Sequence, residues 1–481
     1  MIIRHEVGVP SLEKSLKKPL LILLLLLPAC LTLLSCGGAS APASHTSGIA
    51  YRAFVTNNVS AGTASAGIYI VNAATDQRGH VAPISAGNTP GMMVITPNLV
   101  ATLVFSGNGL PSSDNQLTII SNAGEAANGH VTLPGMTQSF VVSPDSSIVY
   151  VAVPTAPVVD QSPGVVLAIA VDSAALLGQV AIPSVQYLAI DNGGDRMLGF
   201  SQGSNADSVA VITPSNIVIP NSVVVTYVAG FDHPVAAFFS SDDSTAYILN
   251  CGPECGGTTA SIQSLDMTTT PPTLGAAVAI PGGATVGLVV NSSTMYVAGT
   301  PYSSAGPSFT CLGLLGETLT CGQLSIVNLG TMSVTNTATI AITDGYHARM
   351  AMGPNGQLFI GATTCTEIIP PQPPPTGAET RGCLSIYNTL TTAVGSNPPA
   401  GVVIPPENGD VTGIQPLTNR GAGMAQQVVY VVQGQGVPTG GTLYIYDTTI
   451  DALEYNPNNI YNPGEVANLV GNFYDVKIVD F

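Results

Sequence analysis

A unit of about 48 residues recurs along this chain, and a recurrence of that length confines the fold to an array of one small motif. Bulky apolar residues followed by small ones lead the copies at Phe54, Leu103, Tyr150, Leu198, Tyr247, Tyr296, Phe359 and Tyr430, at spacings of 49, 47, 48, 49, 49, 63 and 71. The two longer intervals mark insertions, which repeat arrays place in loops. Another apolar segment and a tight turn precede the lead residues, as in Phe140-Val141-Val142-Ser143-Pro144-Asp145, Ala237-Phe238-Phe239-Ser240-Ser241-Asp242-Asp243 and Ala351-Met352-Gly353-Pro354-Asn355-Gly356. There Pro fixes φ, Asp and Asn offer a local acceptor and Gly adopts positive φ, as short hairpins require. After a variable loop comes a third apolar segment ending in Asn or Asp, at Asn72, Asp266, Asn328, Asn388 and Asp447, and then a weaker fourth such as His130-Val131-Thr132-Leu133. Four antiparallel strands per unit predict an all-β fold, a β-propeller of four-stranded blades.

Eight copies predict eight blades, or seven if the degenerate copy near residues 185 to 231 or the last unit is something else. The first unit, from Tyr51, lacks its innermost strand, while the chain ends in an orphan apolar segment from Tyr474 to Phe481. That segment is expected to fill the gap and close the ring, removing two exposed strand edges. Composition agrees: 52 Gly and 37 Pro in 481 residues favour turns over long helices, and 45% hydrophobic with 8% charged residues excludes a disordered chain.

The quoted segments carry a resemblance. Phe54-Val55-Thr56-Asn57, Gly87-Asn88-Thr89-Pro90-Gly91, Ser143-Pro144-Asp145 with Tyr150-Val151, and His233-Pro234 before an apolar strand are similar to the YVTN family of β-propeller repeats. The match spans roughly residues 50 to 481. It implies a propeller and an exported setting, and no catalytic residue.

The N-terminus points the same way. Lys17-Lys18, the run Leu20 to Leu27 and Leu33-Leu34-Ser35-Cys36-Gly37-Gly38 read as a basic, apolar and then small secretory signal, too short to span a bilayer. Leu33-Leu34-Ser35-Cys36 resembles a bacterial lipobox, so residues 1–35 are expected to be removed, Cys36 lipidated, residues 36–50 to form a tether and 51–481 a single domain. A plain secretory signal is the other reading. The expected location is the bacterial cell envelope, on its periplasmic or outer-membrane face. Beyond residue 35 the chain carries 7 basic and 26 acidic residues, with Lys477 its only lysine, which excludes phosphate-neutralising nucleic-acid binding.

Function is expected on one face. The loops joining second to third strands, at residues 58–66, 107–114, 154–163, 301–321 and 364–382, are long, whereas the opposite hairpins are short. Six cysteines fall in or beside loops of this face, and neighbours are expected to pair: Cys251 with Cys255, Cys311 with Cys321 and Cys365 with Cys383. Pro370 to Pro375 adds a stiff segment that reads as a lid, a docking edge or a spacer.

Near the channel mouth the expected polar residues are Gln138, Tyr187, Asp232, His233, His347, Arg349, Asp410 and Tyr474, a binding set for a protein, glycan or small molecule. His233, His347 and Arg349 are the candidates for catalysis, should the chain be a lactonase-like hydrolase. No cofactor or metal is expected. Tryptophan docking motifs and the haem motif Cys-x-x-Cys-His are missing, the cysteine spacing does not suit zinc, and Asp191-Asn192-Gly193-Gly194-Asp195 is too short for an EF-hand calcium loop.

Overall fold

The computed structural model describes residues 45 to 480, leaving out 59–64, 108–112, 204–205, 220–224, 313–317, 367–381, 391–400, 406, 408, 418–419, 421–426, 435–440 and 463. The signal segment, Cys36 with most of its tether, and the proline run at 370 to 375 lie outside the described residues.

The chain is all-β. Many of its strands form four-stranded antiparallel sheets of the propeller-blade type, each a meander through consecutive strands, beside a six-stranded sheet and an eight-stranded one that holds both the first and the last strand. Pro90–Ile95, Ala101–Ser106, Gln116–Ser121 and Ala126–Thr132 make one such sheet; Ser139–Val142, Ile148–Val153, Val165–Ala170 and Leu176–Ala181 make the next. The degenerate copy folds the same way, from Val185–Ile190 to Thr226–Ala229.

The second and third strands are apolar at nearly every position because neighbouring sheets cover both of their faces. In Ile148–Val153, Val149, Val151 and Val153 pack with Leu103, Phe105 and Leu117 of the preceding sheet. The alternate residues Tyr150 and Ala152 pack with Val185, Met197 and Ala210 of the following one. Fourth strands lie outermost and are largely exposed, as in Ala126–Thr132.

The turns use the chemistry read from the sequence. Ser143 Oγ donates to Asp145 and accepts the Ile148 N–H at 3.0 Å, while Ser240 Oγ donates to Asp242 and accepts the Thr245 N–H at 3.0 Å. Thr96 Oγ1, Asn98 and the Ala101 N–H repeat the pattern. Positive φ falls on Leu99, Ser146, Asp243 and Gly356. The Asx ends of the third strands accept N–H groups two or three residues on, as from Asn72 to Ala74 and Asp447 to Thr449.

The C-terminal strand Phe473–Ile478 pairs antiparallel with Arg52–Asn57, which continues to Gly67–Asn72 and Gln77–Arg78. Asp475 accepts the Met93 N–H at 2.8 Å, tying this sheet to Pro90–Ile95. The fully buried Arg52 guanidinium pairs with Asp480 and with Glu125, each at 2.8 Å. First strands of successive sheets touch in sequence order, and Phe473–Ile478 lies against both Asp410–Pro416 and Pro90–Ile95.

One stretch departs from expectation. Residues 301–321 are not a plain loop: Tyr302–Ser303 pairs with Gly306–Pro307, and Thr310–Leu312 pairs with the start of an unusually long strand, Thr318–Asn328.

Candidate functional site

The face bearing the long loops is cross-braced. Cys251–Cys255, Cys311–Cys321 and Cys365–Cys383 are disulfide-bonded, the sequential pairing expected. Carboxylates add to the clamps. Asp232 accepts the N–H groups of Thr258 at 2.9 Å and Thr259 at 2.7 Å, the Thr258 hydroxyl, and a contact from His233 Nδ1 at 3.2 Å. Glu254, inside the first disulfide loop, accepts the Thr300 N–H of the next sheet at 3.0 Å, and the Thr300 hydroxyl donates to Gly345 O at 2.8 Å. Asp344 then accepts the Thr366 N–H, and Asp410 the Thr364 N–H at 2.6 Å, at the entrance to the third disulfide loop. These links join four consecutive sheets along one rim.

Beneath that rim lies a cavity of about 410 Å³, walled by the starts of the first strands. Gln138, Tyr187, Tyr346, Arg349, Thr412 and Tyr474 are among its polar lining, and Met92, Phe105, Met136, Val235, Phe238 and Val411 among its apolar lining. Arg349 is the single charged residue among the described lining residues. Its Nε donates to Thr412 O at 2.8 Å and its Nη1 to Ala348 O at 3.1 Å, and no carboxylate pairs with it among the described residues. The Tyr187 hydroxyl donates to Gln138 Oε1 at 3.2 Å. Burial pushes the phenols of Tyr187, Tyr346 and Tyr474 above their ordinary values, so all three remain protonated at neutral pH.

Four of the expected residues, Gln138, Tyr187, Arg349 and Tyr474, therefore meet in the cavity. Asp232, His233 and Asp410 do not line it; they hold rim loops, as described above. His347 also leaves the set. It is wholly buried in the wall, its Nε2 lies 3.0 Å from Thr343 O, and burial pushes its pKa down to about 4.

A bulge explains the separation of His347 from Arg349. Simple alternation puts residues 347 and 349 on one face. The register of Tyr346–Met352 against Gln357–Thr363 shifts between His347 and Arg349, and Tyr346, Ala348 and Arg349 reach the cavity instead. Similar shifts occur near the starts of Val185–Ile190, Pro234–Phe239 and Asp410–Pro416. Sequence reasoning missed Tyr346 and Thr412 for this reason, and missed Glu254 because its burial depends on the neighbouring sheet.

No group of three or more His, Cys, Asp or Glu suited to a metal ion occurs among the described residues. At Asp191 to Asp195 the Asp243 carboxylate accepts the N–H groups of Asn192 and Gly193, an ordinary turn clamp.

No protein-family model matches the chain, and no curated protein matches it. Among solved structures it is similar to the dihydro-haem d1 dehydrogenase NirN in complex with DHE, at 12% identity over 83% of this chain and 71% of that one, TM-score 0.55. Hydrazine synthase from Kuenenia stuttgartiensis is similar at 13% identity over 77% of this chain and 99% of that one, TM-score 0.50. A periplasmic gluconolactonase from Pseudomonas aeruginosa matches at 16% identity over 74% and 98%, TM-score 0.41. At such identities the likeness is one of fold, and that fold is the β-propeller.

Proposed function

We propose that this chain is an exported, lipid-anchored binding module, an eight-bladed YVTN-type propeller closed by its C-terminal strand, that engages a protein or glycan on its disulfide-braced rim. The observation that carries this reading is the bracing itself. Three disulfides and the carboxylates of Asp232, Glu254, Asp344 and Asp410 stiffen one rim. Holding loops in place before binding lowers the entropy cost of an interface. Support for closure is the pairing of Phe473–Ile478 with Arg52–Asn57. Support for export and for anchoring at Cys36 is the signal and lipobox pattern together with six cysteines in disulfides.

The hydrolase reading rests on Arg349 alone, because His233 and His347 do not reach the cavity. Replacing residues 365 to 383 by a short Asn-Gly turn tests the rim. Cross-linking in the intact envelope is expected to recover a partner with the parent chain and to lose it with the shortened loop, with circular dichroism unchanged. Equal recovery by both chains would refute the rim reading.

A further inference from the structure

The cavity holds a feature that rim docking does not use. In a chain of formal net charge −17, Arg349 faces a largely apolar chamber with no carboxylate partner among the described residues. Arg52, Arg420 and Lys477 all pair with acids. Two N–H groups of Arg349 are spent on the Thr412 and Ala348 carbonyls, which fix the guanidinium plane. Its remaining hydrogens suit the forked contact that a carboxylate makes with Arg. Thr412, whose carbonyl takes the Arg349 Nε–H, lines the cavity beside it.

We infer that the cavity binds a small organic monocarboxylate, its carboxylate on Arg349 and its apolar body against Met92, Phe105 and Phe238. One cation among phenols neutralises one negative charge. A phosphate dianion would leave a charge unmatched in this apolar setting. The Tyr474 hydroxyl adds a donor to the lining, and the volume of about 410 Å³ suits a ligand of modest size. This site is separate from the rim, so it stands or falls on its own.

The test is calorimetric titration of the full chain in detergent with phenylacetate, hexanoate and benzoate, alongside phenylacetamide and inorganic phosphate. At least one carboxylate is expected to bind, with the neutral amide and phosphate weaker by roughly tenfold or more, which is about 1.4 kcal/mol. Arg349→Gln should weaken the carboxylate by a similar factor, and Arg349→Lys should restore part of it. Tyr474→Phe, which leaves the Arg349 contacts intact, should weaken it less and guards against misfolding of the Arg349 variants. Binding of the amide as tight as that of the acid, a preference for phosphate, an unchanged Arg349→Gln, or no carboxylate binding at all would overturn the inference. The chain shortened at residues 365 to 383 should still bind the carboxylate, which separates failure here from failure of the rim reading.

Discussion

Glu254 shows how far its surroundings override the intrinsic chemistry of a side chain. Burial is the main cause that pushes its carboxyl up to about 8, only partly offset by the Thr300 N–H, so it is largely protonated at neutral pH. A carboxyl whose pKa is raised by folding contributes its full stability below the unfolded value, near 4.5, and loses it as pH climbs toward 8. The melting temperature should therefore decline between those limits. Glu254→Gln, which keeps an acceptor for Thr300, should flatten that decline and raise the melting temperature at pH 8 more than at pH 5; an identical slope in both proteins would show that Glu254 is not the cause. His347 acts in the opposite direction. Its imidazole takes up a proton near 6.5 in the unfolded chain but only near 4 when buried, so stability falls as pH drops from 6.5 toward 4. Neither effect is legible in the sequence, because both depend on what neighbouring strands place around the residue.

At the scale of elements, the Ser-x-Asp hairpins are the best-advertised feature of the sequence. Ser143 with Asp145 and Ser240 with Asp242 form the same network in different sheets, since each needs only residues within one turn. Ser143→Ala and Ser240→Ala should each cost about 1 kcal/mol, and the double variant should be additive to within ~0.5 kcal/mol in urea unfolding. A clear excess in the double variant would mean that the two turns communicate. The strand pattern was equally readable, because stacked sheets bury both faces of Ile148–Val153 and leave it apolar throughout. The bulge between His347 and Arg349 was not, because a register shift is set by the partner strand and leaves no mark in the period. Hence Arg349 lines the cavity, whereas His347, which simple alternation puts on the same face, is buried in the wall.

For the whole molecule, the decisive contacts join its two ends. Arg52 bonds to Asp480 across a separation of 428 residues, and Thr56 donates to Gly91 O while receiving the Asp475 N–H. Removing residues 473 to 481 would leave Arg52–Asn57 with a bare edge and the Arg52 guanidinium short of one carboxylate. The truncated chain is expected to self-associate in light scattering and to lose cooperative melting. Asp480→Ala alone should cost about 2 kcal/mol, because it removes charge-assisted hydrogen bonds from the buried Arg52 guanidinium and leaves it with Glu125. A monomeric, unaltered melt after truncation would contradict the assignment of this strand.

The same contact sets a clock. Arg52–Asn57 is made long before its inner neighbour Phe473–Ile478, so the first sheet stays incomplete until that later strand has been synthesised. Synthesis interrupted before Phe473 leaves Arg52–Asn57 with an open strand edge, the kind of edge that invites pairing with another chain.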